Sequence, residues 1–216
     1  ITRRAAVVDP HLDMEQNYLG MIRHLDLKLE YAIETHAHES HISAAPILCE
    51  ETGANWIMHR LLAGASGTRG VDDGECIYMG EECLAALETP GHSAFSMCYR
   101  WTDRVFTGHT LLAGKIGDCD RYDAVCRNLY DSIVNRLYTL PEKTLVFPGA
   151  EAAGRRESTI GFELENNEEL NSGTTFKAFL NAKQGAGDAR TGTKLPRAVF
   201  GRTGASFFTL KKAVDA

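Results

Sequence analysis

The apolar run Tyr31-Ala32-Ile33 leads directly into Thr35-His36-Ala37-His38-Glu39-Ser40-His41, and this junction constrains the fold more than any other segment. Imidazoles this dense at the end of a buried strand hold a metal more readily than they serve as separate polar loop residues. Residues two apart on extended chain point to the same side, so His36 and His38 would share a face. Two further histidines end apolar segments downstream, His92 in Thr89-Pro90-Gly91-His92-Ser93 and His109 in Phe106-Thr107-Gly108-His109-Thr110. The fold must therefore bring several strand ends to one edge.

The remaining pattern alternates strand and helix. Strands are expected at Ala5–Val8, closed by Asp9-Pro10, at Leu29–Thr35 and at Trp56–His59. Helices are expected over 13–26, with Tyr18, Ile22 and Leu25 on one face, and over Ile42–Thr52, ended by Gly53. Ser40 would cap the second helix, and the Gly-rich stretch Leu61–Gly74 reads as a surface loop. That stretch lacks the Gly-Lys-Ser/Thr ending of a phosphate-binding loop. Short strands follow at Cys76–Met79, Cys83–Glu88, Ser96–Arg100 and Arg104–Phe106. Next come a helix from Tyr122 to Leu137 with Val125, Leu129, Ile133 and Leu137 at four-residue spacing, a strand at Leu145–Phe147, and a helix over 163–180. The order implies an α/β fold of two sheets packed face to face with helices outside.

Charge is uneven. Residues 1–182 carry 16 Lys and Arg against 27 Asp and Glu, whereas residues 183–216 carry 7 against 2, giving the net −6 of the chain. An acidic body of this kind argues against nucleic acid as a partner. No apolar run reaches the roughly 18 residues a membrane helix needs, so no membrane partner is expected. The chain divides into a domain over 1–182 and a basic, Gly-containing extension over 183–216, read as flexible. The six cysteines form no C-x-x-C pair. Reduced thiols in the cytoplasm or the mitochondrial matrix are expected. The start at Ile1, without methionine, reads as part of a longer chain. A homo-oligomer or a fused or associated second domain is compatible with this length.

In unbroken order from about Ala5 to Leu180, Asp9-Pro10, the histidine segment, Thr89-Pro90-Gly91-His92-Ser93, Phe106-Thr107-Gly108-His109 and Phe147-Pro148-Gly149 resemble the metallo-β-lactamase superfamily. Asn128-Leu129-Tyr130-Asp131-Ser132-Ile133, Thr139-Leu140-Pro141 and Ser158-Thr159-Ile160-Gly161 are similar to its persulfide dioxygenase and glyoxalase II-like branch. The resemblance implies a four-layer αβ/βα sandwich with the metal at one edge, here without the N-terminal strand of the family. It also implies departures. Ser40 stands where the family has the aspartate of His-x-His-x-Asp-His, His109 where it has a downstream aspartate, and Ala150 where it has the last histidine. A second metal would lose its ligands.

The one-metal site survives this comparison. The persulfide dioxygenases use two histidines and a carboxylate for iron, and the resemblance places that set at positions 36, 92 and 109, with His38 a further candidate ligand. His109 would make it a three-histidine site that loses one negative charge and favours an anionic thiolate. The expected cofactor is Fe(II), with Zn(II) as the alternative and none if the site is degenerate. Glu39 and His41 are candidate catalytic groups. An ungapped match sets Asp118 and Ala152 at the arginine and tyrosine that hold glutathione in the family. Lys115, Arg121 and Cys119 are then the candidate substrate-binding residues. Three functions follow: an iron dioxygenase of a small thiol or persulfide, a degenerate domain with a structural or partner-binding role, and a zinc thioester hydrolase of glyoxalase II type.

Overall fold

The computed structural model describes residues 3–37, 42–64, 68–119, 122–152 and 154–185, together with the backbone of 206–209. Thirteen strands form among them: β1 Arg4–Val8, β2 Lys28–Ile33, β3 Asn55–His59, β4 Thr68–Val71, β5 Cys76–Met79, β6 Glu82–Glu88, β7 Met97–Trp101, β8 Arg104–Gly108, β9 Leu111–Leu112, β10 Lys115–Ile116, β11 Leu145–Pro148, β12 Ser158–Thr159 and β13 Ser206–Thr209. The helices are α1 Glu15–His24, α2 Ala45–Thr52, α3 Asp123–Ser132, which runs into a π-helical stretch over Ile133–Leu137, α4 Ile160–Asn166 and α5 Phe176–Gly185.

The strands make one five-stranded sheet of order β13-β1-β2-β3-β4, one six-stranded sheet of order β12-β11-β8-β7-β6-β5, and the small pair β9–β10. Each large sheet buries both faces, which explains its apolar runs. Ala6, Val8, Ile33 and Ile57 of the first sheet meet Ile77, Leu84, Met97, Tyr99 and Phe106 of the second in the central core. The outer face of the first sheet packs Ala5, Val7, Leu29 and Ala32 against Tyr18, Ile22 and Leu48 of α1 and α2. The outer face of the second packs Val105 and Val146 against Leu129 of α3, Ile133 of the π-helical stretch and Phe179 of α5. This is the expected four-layer αβ/βα sandwich. β1, β2, β3 and β4 are mutually parallel, as are β8 and β11, so their C-terminal ends gather at one edge.

Several local expectations need correction. The stretch Leu61–Gly74 contains β4, which pairs with β3 from Trp56↔Thr68 to His59↔Val71; sheet pairing outweighs the weak strand propensity of a Gly-containing segment. The expected helix over 163–180 is two helices, because buried Asn167 breaks it by accepting from the amides of Glu169 and Leu170 through its side chain. The second helix starts at Ala45 rather than Ile42, with Pro46 in its first turn and the hydroxyl of Ser43 accepting from the Ala45 amide. The cysteines are not all reduced thiols. Cys76–Cys83 and Cys119–Cys126 are disulfides, and Cys49 and Cys98 are free. The β5–β6 hairpin brings Cys76 to Cys83, and the first turn of α3 brings Cys126 to Cys119, which spacing along the chain does not reveal. The backbone of Ser206–Thr209 pairs antiparallel with β1.

Candidate metal centre

Tight turns deliver the site from strand ends. His36 follows β2, His92 follows β6, and His109 directly follows β8. The three turns approach one another because glycines leave room. A Cβ on Gly91, at φ +140°, would stand 2.3 Å from the Leu129 backbone of α3; one on Gly108, at φ +50°, would stand 2.2 Å from the Thr35 hydroxyl oxygen. A Cβ on Gly117 would meet the His109 carbonyl oxygen at 1.9 Å and His92 Nδ1 at 3.2 Å. No side chain larger than hydrogen fits at these places without displacing Leu129, Thr35 or the His109 turn.

One candidate nitrogen from each of His36, His92 and His109 lies within 4.8 Å of the other two. The ring centroids form a nearly equilateral triangle with sides of 5.0, 4.9 and 5.0 Å. Three imidazoles gathered this closely form a donor set of the kind that suits a single iron or zinc ion. The positions that sequence reasoning assigned to the one-metal set are thus neighbours in the fold.

Two of the rings are fixed from behind. The Thr35 hydroxyl donates to Asp9 Oδ2 at 2.7 Å, so at 2.8 Å it accepts from His36 Nδ1 and leaves Nε2 of that ring as the ligand atom. The other carboxylate oxygen of Asp9 accepts the Thr35 amide at 2.7 Å. Asp9 is buried and adopts φ +50°, which a short Asp side chain tolerates by bonding to nearby backbone. His92 Nδ1 donates to the Asp118 carbonyl oxygen at 3.0 Å, again leaving Nε2. The turn before His92 is held by the Ser132 hydroxyl of α3, which donates to the Pro90 carbonyl at 2.8 Å. The hydroxyls of Thr89 and Thr110 meet at 3.2 Å and join the His92 and His109 turns.

The site also sits on the line where the two sheets meet. The Met97 amide donates to the Thr35 carbonyl at 2.7 Å, and the Tyr99 hydroxyl donates to the Glu34 carbonyl at 3.0 Å. Beneath it, burial pushes the Cys98 thiol up to about 12, against the lowering effect of its contacts with Thr89 and Thr110.

Other candidates are distributed differently. Lys115 is exposed on β10, and its carbonyl accepts from the side chain of Asn167. Cys119 is not a free thiol, so its candidacy as a thiol that binds or reacts with substrate is corrected by its bond to Cys126. His38, Glu39, His41, Ser40 and Arg121 lie outside the described residues. His59 is buried away from the cluster, accepting from the Leu61 amide and bonded to Glu88, and His11 caps the turn before α1. Sequence reasoning missed Thr35 and Gly117. Asp9-Pro10 at a strand end was the available signal for the first, through its partner; nothing local marks the second.

Comparison with known proteins places the fold in a family. A family model described as the metallo-β-lactamase superfamily matches residues 2–149. The mitochondrial persulfide dioxygenases ETHE1 of Bos taurus and Homo sapiens are each 30% identical over 172 residues, covering 78% of this chain and 67% of those proteins. A hydroxyacylglutathione hydrolase of Polaromonas is 33% identical over 154 residues, covering 68% of this chain and 57% of that one. The crystal structure of ETHE1 from Myxococcus xanthus superposes with a TM-score of 0.80 at 34% identity, covering 86% of this chain and 81% of that one.

Proposed function

The chain belongs to the metallo-β-lactamase superfamily, and from that membership we propose that it is a metal-dependent enzyme oxidising a small thiol or persulfide at one iron ion held by His36, His92 and His109. The observation that carries this reading is the triangle of imidazoles, each contributing one nitrogen within 4.8 Å of the others. Likeness to persulfide dioxygenases over 78% of the chain supports the chemistry. When bound, iron supplies Lewis acidity toward sulfur and electron-transfer chemistry toward dioxygen.

The protein's own groups do the rest. Thr35 and the Asp118 carbonyl orient His36 and His92 through their Nδ1 atoms, so the ring edges converge before any ion arrives. With three neutral imidazoles the ligand set adds no negative charge. An anionic thiolate or persulfide is therefore drawn to the centre more strongly than at a site containing a carboxylate. Exposed Asp118 beside His92 repels a substrate carboxylate, which disfavours glutathione derivatives and favours a smaller thiol. The named location of the mammalian relatives supports a mitochondrial matrix setting, with the cytoplasm as the alternative. Among the described residues no helix is long and apolar enough to cross a membrane.

A one-metal zinc thioesterase is the second reading. Three histidines also suit zinc with an open position, and the similar Polaromonas protein is a hydroxyacylglutathione hydrolase. The test is anaerobic purification with supplied iron or zinc, metal analysis, and assays of oxygen uptake with thiols and persulfides beside thioester hydrolysis. Iron with thiol-dependent oxygen uptake, both lost in His36→Ala, is expected. Zinc with thioester turnover selects the second reading. A chain that takes up neither ion overturns both and leaves a structural or partner-binding domain.

A further inference from the structure

The disulfide nearest the histidines sits where it can control one of them. Cys119 directly follows Asp118, whose carbonyl holds His92 Nδ1 at 3.0 Å, and Cys119 is bonded to Cys126 in the first turn of α3. The same helix supports His92 from the other side. Gly91 lies against Leu129 of α3, and Ser132 of α3 bonds to Pro90. His92 is thus clamped to one helix at two points, and one of the clamps is a covalent bond that reduction can open. Cys119 is half-buried and Cys126 is 1% exposed, so an external thiolate reaches the Cys119 sulfur first.

We propose that the Cys119–Cys126 disulfide is a redox switch on the metal centre: oxidised, it fixes the Asp118 carbonyl and holds His92 ready to bind; reduced, it releases that segment and weakens the hold on the ion. The reductant is a small dithiol. One of its thiolates attacks the Cys119 sulfur, the Cys119–Cys126 bond breaks, and the Cys126 sulfur leaves as a thiolate that takes up a proton. The second thiolate of the dithiol then displaces Cys119 from the mixed disulfide, and the dithiol departs oxidised by two electrons. The inference rests on reading the three imidazoles as a metal centre.

Cobalt(II) titration, followed by its visible absorption, tests both parts. It is run on the oxidised protein, on protein reduced and freed of reductant under nitrogen, and on C119S/C126S, which has no thiols there to ligate cobalt. The expected result is a Kd weaker by about tenfold or more in C119S/C126S and in the reduced wild type. The variant C76S/C83S supplies the control, because that disulfide closes the β5–β6 hairpin at the outer edge of its sheet, at the opposite end of β6 from the His92 turn. Its oxidised form should bind as the oxidised wild type does, and reduction should still weaken it. Equal affinity of the oxidised protein and C119S/C126S overturns the switch and spares the metal centre. Absence of cobalt binding by the oxidised protein overturns the metal centre, and the switch with it.

Discussion

Gly108 lies so close to Thr35 that a methyl group at position 108 would stand 2.2 Å from the threonine hydroxyl oxygen. The contact joins the end of β8 to the end of β2, and so joins His109 to His36. Gly108→Ala meets both this clash and a left-handed backbone, at φ +50°. The expected cost is about 2–4 kcal/mol, from the strained conformation and the overpacking together. Thermal unfolding should show a Tm lower by several degrees, and metal affinity should fall with it.

Thr35→Val keeps the shape of the side chain and deletes its hydroxyl. The hydrogen bond that Thr35 Oγ1 donates to Asp9 and the one it accepts from His36 Nδ1 are both lost, while the amide bond to Asp9 remains. Metal affinity is expected to fall about 10- to 100-fold. Isothermal titration with zinc measures it, and Thr35→Ser should restore most of the loss.

His109→Asp puts a carboxylate at the position where the resemblance to persulfide dioxygenases implies one. A unit of negative charge beside a divalent ion gains more than about 1.4 kcal/mol at protein-like dielectric, so metal binding should tighten by about tenfold or more. The same charge opposes an anionic sulfur substrate. KM for the thiol should therefore rise in the variant, as steady-state oxygen uptake would show.

Alkaline pH probes the floor of the site. The Cys98 thiol is raised from its ordinary value near 9 to about 12 by burial. The folded state thus keeps its proton where the unfolded chain has lost it. The contribution to stability is complete below pH 9 and is lost as pH rises from about 9 toward 12. Denaturant unfolding across that window should show stability declining, and Cys98→Ala should make the decline shallower without removing it, because half-buried Cys49 is raised to about 11 as well. At pH 8 the native thiol should resist alkylation.

The sandwich was legible because its cues are local and repeated. Alternating apolar runs and helical faces mark most of the elements, and Gly91, Gly108 and Gly149 announce the tight turns beside His92, His109 and the end of β11. His36, His92 and His109 could be chosen as a set only through resemblance, since no spacing rule joins ligands so far apart in sequence. The disulfides were hidden for a different reason: each joins cysteines seven residues apart, a spacing that pairs them only when a hairpin turn or the first turn of α3 lies between them. β4 was hidden because a parallel strand draws its stability from its neighbour. Asn167 was hidden because its side chain replaces helix hydrogen bonds, a choice that burial makes.

The bonds from Met97 to Thr35 and from Tyr99 to Glu34 cross between the sheets directly behind His36. An ion held by His36, His92 and His109 would have a mechanical role there, because a ligand triangle seated on that crossing would rivet the two halves of the sandwich together. Parting the sheets would pull His36, on one sheet, away from His92 and His109, on the other. Such an ion would resist separation of the halves, and opening of the sandwich would break the ligand triangle.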